Sequence, residues 1–354
     1  MESEILALIN KYTYENVQKV LNQHMHDNNK VEPILNKENH RFTVFPIKYP
    51  GLWQQYKDQL ASFWKAEQIN FAGDYDDFMT LTKNEQHFIK MILAFFAQSD
   101  GIVNFNLSER FTREVQIPEA IICYQYQEMM ENIHSEVYSL MLDNIIKDPV
   151  EKTKLFNAIT EVPSVGKMAE WAFTWIDSST SFAHRVIAFA VVEAIFFSGA
   201  FAAIFWLKKT KNVGNNSNSQ FMNGLITSNK FISRDESMHY MYACEIYKLL
   251  INKLPGNEVI AIISDGVKIA QEFMTDALPV SLIGMNNQFM GDYIEYIADR
   301  LLVMLGYNKY YNKPNPFPFM DSIGMKDKSN FFEVTVHEYS TDSHKDFPDI
   351  SDDF

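Results

Sequence analysis

Apolar residues recur with helical spacing along most of the chain, whereas runs that alternate between apolar and polar residues are scarce. Residues three and four positions apart share one face of a helix, so this spacing predicts amphipathic helices with one buried stripe each. Thr82 and Glu85 form a capping box that begins one helix, and Pro118 suits the first turn of the next. Seven helices are predicted. Their approximate bounds are 83–111, 119–146, a helix within 150–175, 180–208, 220–252, 256–276 and 284–306.

The segment Val186 to Leu207 is the most apolar part of the chain, with Glu193 as its only charged residue in 22 positions. Its length is sufficient to span a bilayer. A carboxylate at its midpoint would be costly in lipid, and we find no second span of this kind. A helix that is apolar on all sides is also typical of the centre of a large bundle. We therefore expect a buried helix and no membrane association.

Two stretches interrupt the helical pattern. Residues 209–220 are polar and rich in asparagine, which predicts an exposed loop inserted between two long helices. From residue 313 onward Pro314, Pro316 and Pro318 prevent helix, and residues 333–354 contain seven acids and one lysine. No linker rich in proline or serine separates the helices. The sequence thus predicts one helical domain over 1–312, which includes an N-terminal arm over 1–45, followed by a flexible, extended tail over 313–354.

Length, composition and charge exclude several classes of protein. The chain has 354 residues, of which 47% are hydrophobic and 21% are charged, and this composition is typical of a globular protein with a sizeable core. The net charge of −14 repels phosphate backbones and argues against nucleic-acid binding. Two cysteines cannot form a disulfide framework, and the N-terminus lacks the pattern of a signal peptide. We expect a cytoplasmic protein.

The motif Glu-x-x-His occurs twice, as Glu131 with His134 and as Glu236 with His239. This spacing places both side chains of a pair on one helix face, where they can hold one metal ion. Two such pairs are weak evidence by themselves, because each glutamate could equally lie on a solvated helix face.

Two further predicted helices each carry one carboxylate inside an apolar run, at Asp100 and Glu193. A buried carboxylate is costly unless it has an ion partner, a proton or a metal. Two single acids and two Glu-x-x-His pairs from four helices form the ligand set of di-iron and di-manganese bundles, with Asp100 in place of one glutamate. The four carboxylates carry four negative charges, which two divalent cations would cancel. We predict a dinuclear metal site inside a four-helix core.

The sequence around these residues resembles the radical-generating small subunit of class I ribonucleotide reductase, and its eukaryotic and viral branch in particular. The resemblance covers nearly the whole chain. It depends on four runs, namely LAFFAQSDGIVN at Asp100, MENIHSEVYSL at Glu131, AFAVVEAIFFSGAFAAIFWLKK at Glu193 and ISRDESMH at Glu236. It implies a ferritin-like helical bundle and an oxo-bridged pair of iron ions in each chain. Manganese suits the same ligands.

The resemblance also implies a stable radical on a tyrosine beside the metals, formed after oxygen activation. Tyr138 stands at the matching position, four residues after His134 on the same helix face. A tyrosine with no role beyond core packing is the ordinary alternative. Phe197, Phe201 and Ile232 match the apolar residues that surround the radical in the family, and they would serve as core residues in either case.

The family passes the oxidising equivalent from this tyrosine to a large catalytic subunit, which binds ribonucleoside diphosphates for deoxyribonucleotide synthesis. The matching residues are Trp64, Asp235, His134 and, in the tail, Tyr339. The C-terminal peptide would dock that subunit, with an apolar groove receiving its three hydrophobic residues, Phe347, Ile350 and Phe354. The resemblance implies a homodimer as well. Each residue taken singly could be an ordinary core, surface or tail residue.

Three other functions remain open on the sequence. An oxygenase or desaturase would use the same ligand plan with a substrate channel. A ferritin-like iron-binding protein would usually be a shorter bundle, and a metal-free helical scaffold would leave the buried Asp100 and Glu193 unexplained. The interval between Glu193 and Glu236 exceeds the family pattern by about nine residues, which fall in the asparagine-rich insert.

Overall fold

The computed structural model describes residues 32–176, 181–211, 221–277 and 279–320. All of the regular secondary structure in these residues is helical, which confirms the predicted all-α class. The chain divides into two units, Met1–Pro316 and Phe317–Phe354. Of the second unit the structure describes residues 317–320, where the Met320 amide donates to the Phe317 carbonyl at 2.9 Å.

The first unit contains twelve α-helices of four or more residues within its described part. They are α1 (Pro50–Ala61), α2 (Asp74–Met79), α3 (Lys83–Asn106), α4 (Pro118–Ile145), α5 (Pro149–Phe156), α6 (Ala158–Glu161), α7 (Pro163–Ile176), α8 (Phe182–Val191), α9 (Phe197–Lys211), α10 (Asn223–Leu249), α11 (Gly256–Gln271) and α12 (Asn287–Met304). Three π-helical segments adjoin α3, α8 and α11, over Leu107–Phe111, Val192–Phe196 and Glu272–Ala277.

Four long helical stretches form the centre of the unit. Helix α3 packs along α4, and α8 packs along α10, while the π-helical segment at Val192–Phe196 joins α8 to α9 without a break. Helix α3 begins with the predicted capping box, in which the Glu85 amide donates to the Thr82 hydroxyl. Gly266 of α11 permits close contact with α8, because a Cβ there would lie 2.4 Å from Val191.

The structure corrects several predicted helix boundaries. The region 150–175 contains three helices rather than one, because α5 and α6 are separated at Asn157 and Pro163 begins α7. Helix α9 continues to Lys211, so residues 209–211 are helical and are not part of a loop. The basic side chains in the last turn of α9 favour this extension through the helix dipole. Residues 212–220 of the predicted insert lie outside the described residues.

The start of helix α10 is held by a contact that the sequence did not predict. This helix carries Ile232, Asp235, Glu236 and His239. Two carboxylates of the short helix α2 accept hydrogen bonds from its first amides: Asp74 from Gly224 and Leu225 at 2.9 and 2.7 Å, and Asp77 from Met222 at 2.7 Å. Met222 has a left-handed conformation and its own side chain provides no cap. Helix α2 therefore satisfies the free amides of α10 and anchors its start.

Two helical stretches are long and apolar enough to cross a membrane, Phe182–Lys211 and Lys83–Glu114. The second of these corrects the expectation of a single such stretch. The most apolar window of Phe182–Lys211 is entirely buried within the protein. That window has the packing of a core helix, as expected from the carboxylate at its midpoint.

Candidate metal centre

The six predicted ligand residues converge in one place at the centre of the bundle. Each is buried, with no more than 2% of its surface exposed. Two come from α4 and two from α10, one from α3 and one from the π-helical segment between α8 and α9. They are Asp100, Glu131, His134, Glu193, Glu236 and His239. The structure thus brings all six together.

Glu131 and Glu236 lie between the two imidazoles. The Oε2 atom of Glu131 is 3.3 Å from Nδ1 of His134, and its Oε1 atom is 2.9 Å from Nδ1 of His239. Glu236 has the same arrangement, with Oε1 3.1 Å from His134 and Oε2 3.1 Å from His239. Each of these carboxylates therefore presents one oxygen to each half of the site, which is the geometry of a bridging ligand.

The remaining two acids belong to opposite halves of the site. Asp100 groups with Glu131 and His134, and Glu193 groups with Glu131, Glu236 and His239; within each group the ligand atoms all lie within 4.8 Å of one another. Glu193 occupies a π-helical turn, an irregularity that is frequent at functional sites. The two groups share Glu131, as expected for two metal ions held side by side.

The buried polar atoms of the site fit a pair of metal ions. Seven of them have no hydrogen-bond partner: both carboxylate oxygens of Asp100 and of Glu131, one oxygen each of Glu193 and Glu236, and Nδ1 of His134. Buried acceptors without a partner are costly and rare in proteins. Four carboxylates and two imidazoles form a set of oxygen and nitrogen donors that suits iron and manganese.

Burial and mutual repulsion control the protonation of the acids. Burial raises the pKa of Asp100 well above its ordinary value, and the nearby Glu131 adds to this effect. Burial also raises the pKa of Glu193, together with the charge of Glu236. The opposite holds at Glu236: burial alone would raise its pKa, but its interactions with Glu193, His134 and His239 outweigh burial and lower it. Without metal the site therefore retains protons, which metal binding must displace.

Tyr138 lies beside this cluster in a dry environment. Its side chain is 1% exposed, and its hydroxyl group has no hydrogen-bond partner. Burial raises the pKa of Tyr138 well above its ordinary value, and the charge of Asp100 adds to this effect. Tyr124 is buried as deeply, but the acids that raise its pKa do not include a ligand of the cluster. Tyr138 is thus distinguished by its proximity to the ligand carboxylates.

A set of stacked phenyl rings covers Tyr138. Phe96 stacks on the tyrosine ring with a centroid distance of 4.8 Å, and Phe201 and Phe197 stack on Phe96 at 5.1 and 5.9 Å. Ile232, the third predicted pocket residue, is fully buried on α10 one turn before Glu236. The sequence did not predict the role of Phe96, although its position four residues before Asp100 on α3 is a signal for it.

Trp64, Asp235 and His134 form a continuous hydrogen-bonded chain. The indole Nε1 of Trp64 donates to Oδ2 of Asp235 at 2.6 Å, and the same oxygen lies 3.1 Å from Nε2 of His134. The Trp64 ring also stacks on the His134 ring at 5.9 Å. Because Nε2 faces Asp235, Nδ1 of His134 is directed towards the carboxylate cluster. The three predicted relay residues are therefore in contact.

Two residues that sequence reasoning missed orient these groups. Arg234 donates through Nε and Nη2 to Oδ1 of Asp235 and through Nη2 to the Ser62 carbonyl at 2.7 Å. Gln127 donates to Oε1 of Glu193 at 3.1 Å. Gln127 lies one turn before Glu131 on the ligand face of α4, which is a detectable signal; Arg234 offers no such signal, because its contacts depend on a distant loop.

Four predicted residues of the tail lie outside the described residues: Tyr339, Phe347, Ile350 and Phe354. The same holds for residues 1–31 of the predicted N-terminal arm. The end of that arm and the residues directly after it, 41–49, lie against the start of α4, where the buried carboxylate of Glu119 accepts hydrogen bonds from the Arg41 side chain and from the Lys48 amide.

The chain is similar to known proteins over most of its length. Residues 41–316 match the family model "Ribonucleotide reductase, small chain". The chain is 52% identical over 309 residues to the ribonucleoside-diphosphate reductase small chain of Trypanosoma brucei brucei, covering 87% of this chain and 89% of that protein. The identity to the same subunit of vaccinia virus strain Ankara is also 52%, covering 87% and 94%.

A solved structure is similar as well. The ribonucleotide reductase Rnr4 homodimer from Saccharomyces cerevisiae matches with a TM-score of 0.74 and 36% identity, covering 93% of this chain and 100% of that chain. The similarity confirms the predicted helical fold.

Proposed function

Because the chain belongs to the ribonucleotide reductase small-chain family, we propose that it generates a radical on Tyr138 and delivers the oxidising equivalent to the large subunit. Membership makes it a subunit of an oxidoreductase that works with a large subunit on ribonucleoside diphosphates. The observation that carries the proposal is the position of Tyr138, which is buried beside the ligand carboxylates and covered by phenyl rings.

The family holds a dinuclear centre of iron or manganese, and the buried carboxylate and histidine cluster suits it. In our proposal Asp100, Glu131 and His134 would hold one ion, and Glu193, Glu236 and His239 would hold the other, with Glu131 near both groups. When bound, the ions supply the oxidising power that they obtain from dioxygen. Iron is our first choice, because a tyrosine stands at the radical position.

Tyr138 loses one electron and its phenolic proton in this proposal. The hydroxyl has no hydrogen-bond partner, and the charges that act on it include those of Asp100, Glu131 and Glu236, so in this proposal its proton moves towards the ligand cluster. The stacked rings of Phe96, Phe197 and Phe201, together with Ile232, exclude water and reductants from the resulting radical. This exclusion is what a long-lived radical requires.

Trp64, Asp235 and His134 are the proposed outward route for the oxidising equivalent. Their hydrogen bonds at 2.6 and 3.1 Å link the ligand His134 to the indole without a gap. Arg234 holds Asp235 in the correct orientation through its contact with Ser62. The route would end at Tyr339 in the tail.

The remaining parts of the proposal concern assembly. We propose that residues 313–354 form an extended tail whose Phe347, Ile350 and Phe354 bind the large subunit, and that residues 1–312 form the di-metal domain. A homodimer is proposed by analogy with the yeast Rnr4 homodimer. Both cysteines, Cys123 and Cys244, are buried free thiols, which supports a reducing cytoplasmic location.

The test is electron paramagnetic resonance of the full chain after anaerobic loading with ferrous iron and exposure to oxygen. We expect a tyrosyl radical signal in the parent and none in Tyr138→Phe, while both bind two irons per chain. Tyr124→Phe is the matched control, because this tyrosine is equally buried but away from the ligand acids.

The outcomes separate the alternatives. If iron binds and no radical forms in the parent, the radical proposal is wrong for iron, and the same experiment with manganese decides whether it is wrong altogether. A signal that persists in Tyr138→Phe and disappears in Tyr124→Phe would assign the radical to the other tyrosine. Oxygen consumption without any tyrosyl signal would favour an oxygenase.

A further inference from the structure

A partly open cavity of about 20 Å³ lies between α3, α7 and α8. Of its eleven lining residues, nine are apolar, among them Val103, Trp171, Trp175 and Val192. The two polar members are Asn106 and Arg185. None of the six proposed ligands, and none of the residues around Tyr138, lines this cavity, so it is not part of the site described above.

The cavity lies on the two helical stretches that also carry Asp100 and Glu193. On α3 it begins with the residues directly after Asp100, since Val103 is one turn further on. On α8 it is lined by residues before Glu193, since Phe189 is one turn earlier and Val192 is its neighbour. The lining thus includes residues within one helical turn of Asp100 and of Glu193 along their helices.

The phenyl rings around Tyr138 occupy the opposite end of the same two stretches. Phe96 precedes Asp100 on α3, whereas Phe197 and Phe201 follow Glu193 on α9, and these rings stack on one another. The two stretches are therefore antiparallel here. The ligand acids stand between the phenyl rings at one end and the cavity at the other.

The size and lining of the cavity determine what it can hold. A volume of about 20 Å³ accommodates one molecule of the size of water or a diatomic gas. The guanidinium group of Arg185 is paired with the Glu114 carboxylate, so the wall offers no uncompensated charge to an ion. Buried water requires two to four polar partners, and the only polar side chains in the lining are Arg185 and Asn106, whose Oδ1 atom has no hydrogen-bond partner. The lining favours a small neutral molecule.

We propose that this cavity is the port through which dioxygen reaches the metal centre, on the side opposite Tyr138. The proposal rests on the proposed function, in which dioxygen is consumed at the centre. An apolar port concentrates a nonpolar gas relative to ions and polar reductants. Its position at the far end of the ligand helices allows oxygen to arrive without opening the phenyl rings that shield the radical.

The experiment fills the cavity by enlarging a side chain of α7, a helix that carries no proposed ligand. Ala172 lines the cavity, and Ala169 is buried on the same helix outside the lining, so Ala172→Leu and Ala169→Leu form a matched pair. The first readout is xenon binding to crystals of the metal-free chain under pressure. We expect xenon in the cavity of the parent and of Ala169→Leu, and none in Ala172→Leu.

The second readout is stopped-flow absorbance of iron oxidation as a function of oxygen concentration. We expect the second-order rate constant with oxygen to fall about tenfold in Ala172→Leu, with unchanged iron stoichiometry and final yield. Ile176→Ala, which enlarges the cavity, should leave that constant equal to or above the parent value. If Ala172→Leu does not fold, Ala172→Val takes its place.

Two results would overturn the proposal: absence of xenon from the cavity of the parent, or an unchanged oxygen dependence in a variant that excludes xenon. Iron oxidation is followed separately from the radical signal. A chain that oxidises iron through this port but forms no tyrosyl radical would refute the proposed function and leave the port intact.

Discussion

The contact between Asp74 and the start of α10 leads to a prediction about stability that sequence reasoning alone would not make. Both carboxylate oxygens accept backbone hydrogen bonds, from Gly224 and Leu225. In Asp74→Ala these two amides lose their acceptor in a buried environment, at a cost of about 1–3 kcal/mol each. For the two amides together we expect the free energy of unfolding to fall by about 2–6 kcal/mol.

The pH dependence of this contact has a defined sign. Burial raises the pKa of Asp74 from 3.8 to about 6, although the hydrogen bonds from Gly224 and Leu225 oppose it. Between these values the folded chain binds more protons than the unfolded chain, so the contribution of Asp74 to stability is complete below pH 3.8 and is lost as the pH rises through 6. The folded and unfolded pKa values of Asp74 differ by about 2.2, which corresponds to a change of at most about 3 kcal/mol in the free energy of unfolding.

Asp74→Asn isolates this effect, because the amide is nearly isosteric and does not titrate. We expect the unfolding free energy of the parent minus that of Asp74→Asn to fall by about 2–3 kcal/mol between pH 4 and pH 7. Urea unfolding of the metal-free chain at fixed protein concentration measures it. Asp76→Asn is the control, because Asp76 is exposed on the same helix and its removal should leave the pH profile unchanged.

If the unfolding free energies of the parent and of Asp74→Asn differ by a constant amount between pH 4 and pH 7, the reasoning is refuted, since the carboxyl would then be solvated and titrate normally. A difference that rises with pH would show that the hydrogen bonds from α10 outweigh burial. Asp74→Ala with full stability would show that other groups satisfy the amides of α10.

Three further predictions concern the metal centre and its support. Phe96→Ala should shorten the half-life of the Tyr138 radical, measured by paramagnetic resonance, and lower stability by about 3–5 kcal/mol; an unchanged half-life would mean that the ring does not shield the radical. Gly224→Ala should lower the melting temperature, because a Cβ would lie 2.4 Å from Phe71; a melting curve equal to that of the parent would contradict this. Removal of metal by a chelator should also lower the melting temperature, because metal at a free concentration a thousand times its Kd stabilises the folded chain by about 4 kcal/mol. Re-addition of metal should restore the melting temperature; failure to restore it would mean that the ions do not stabilise this site.

Some features of this protein follow from the sequence because they depend on neighbours along the chain. The start of α3 is one example, since its capping box requires only residues three positions apart. The Glu131 and Glu236 motifs are another, because spacing within a helix places each histidine on the face of its glutamate. The cost of burying a lone acid within an apolar run is likewise local, and it predicts Asp100 and Glu193 as ligands.

The tertiary structure decided everything that depends on contact between distant segments. That Glu131 and Glu236 each face both histidines follows from the packing of α4 against α10, which no spacing within one helix determines. The anchoring of α10 by Asp74 requires a helix about 150 positions earlier to lie at its start, and the port opposite Tyr138 requires α7 to pack across two ligand helices. Helical periodicity specifies which face is buried, but the partner of that face is set by the packing of the whole bundle.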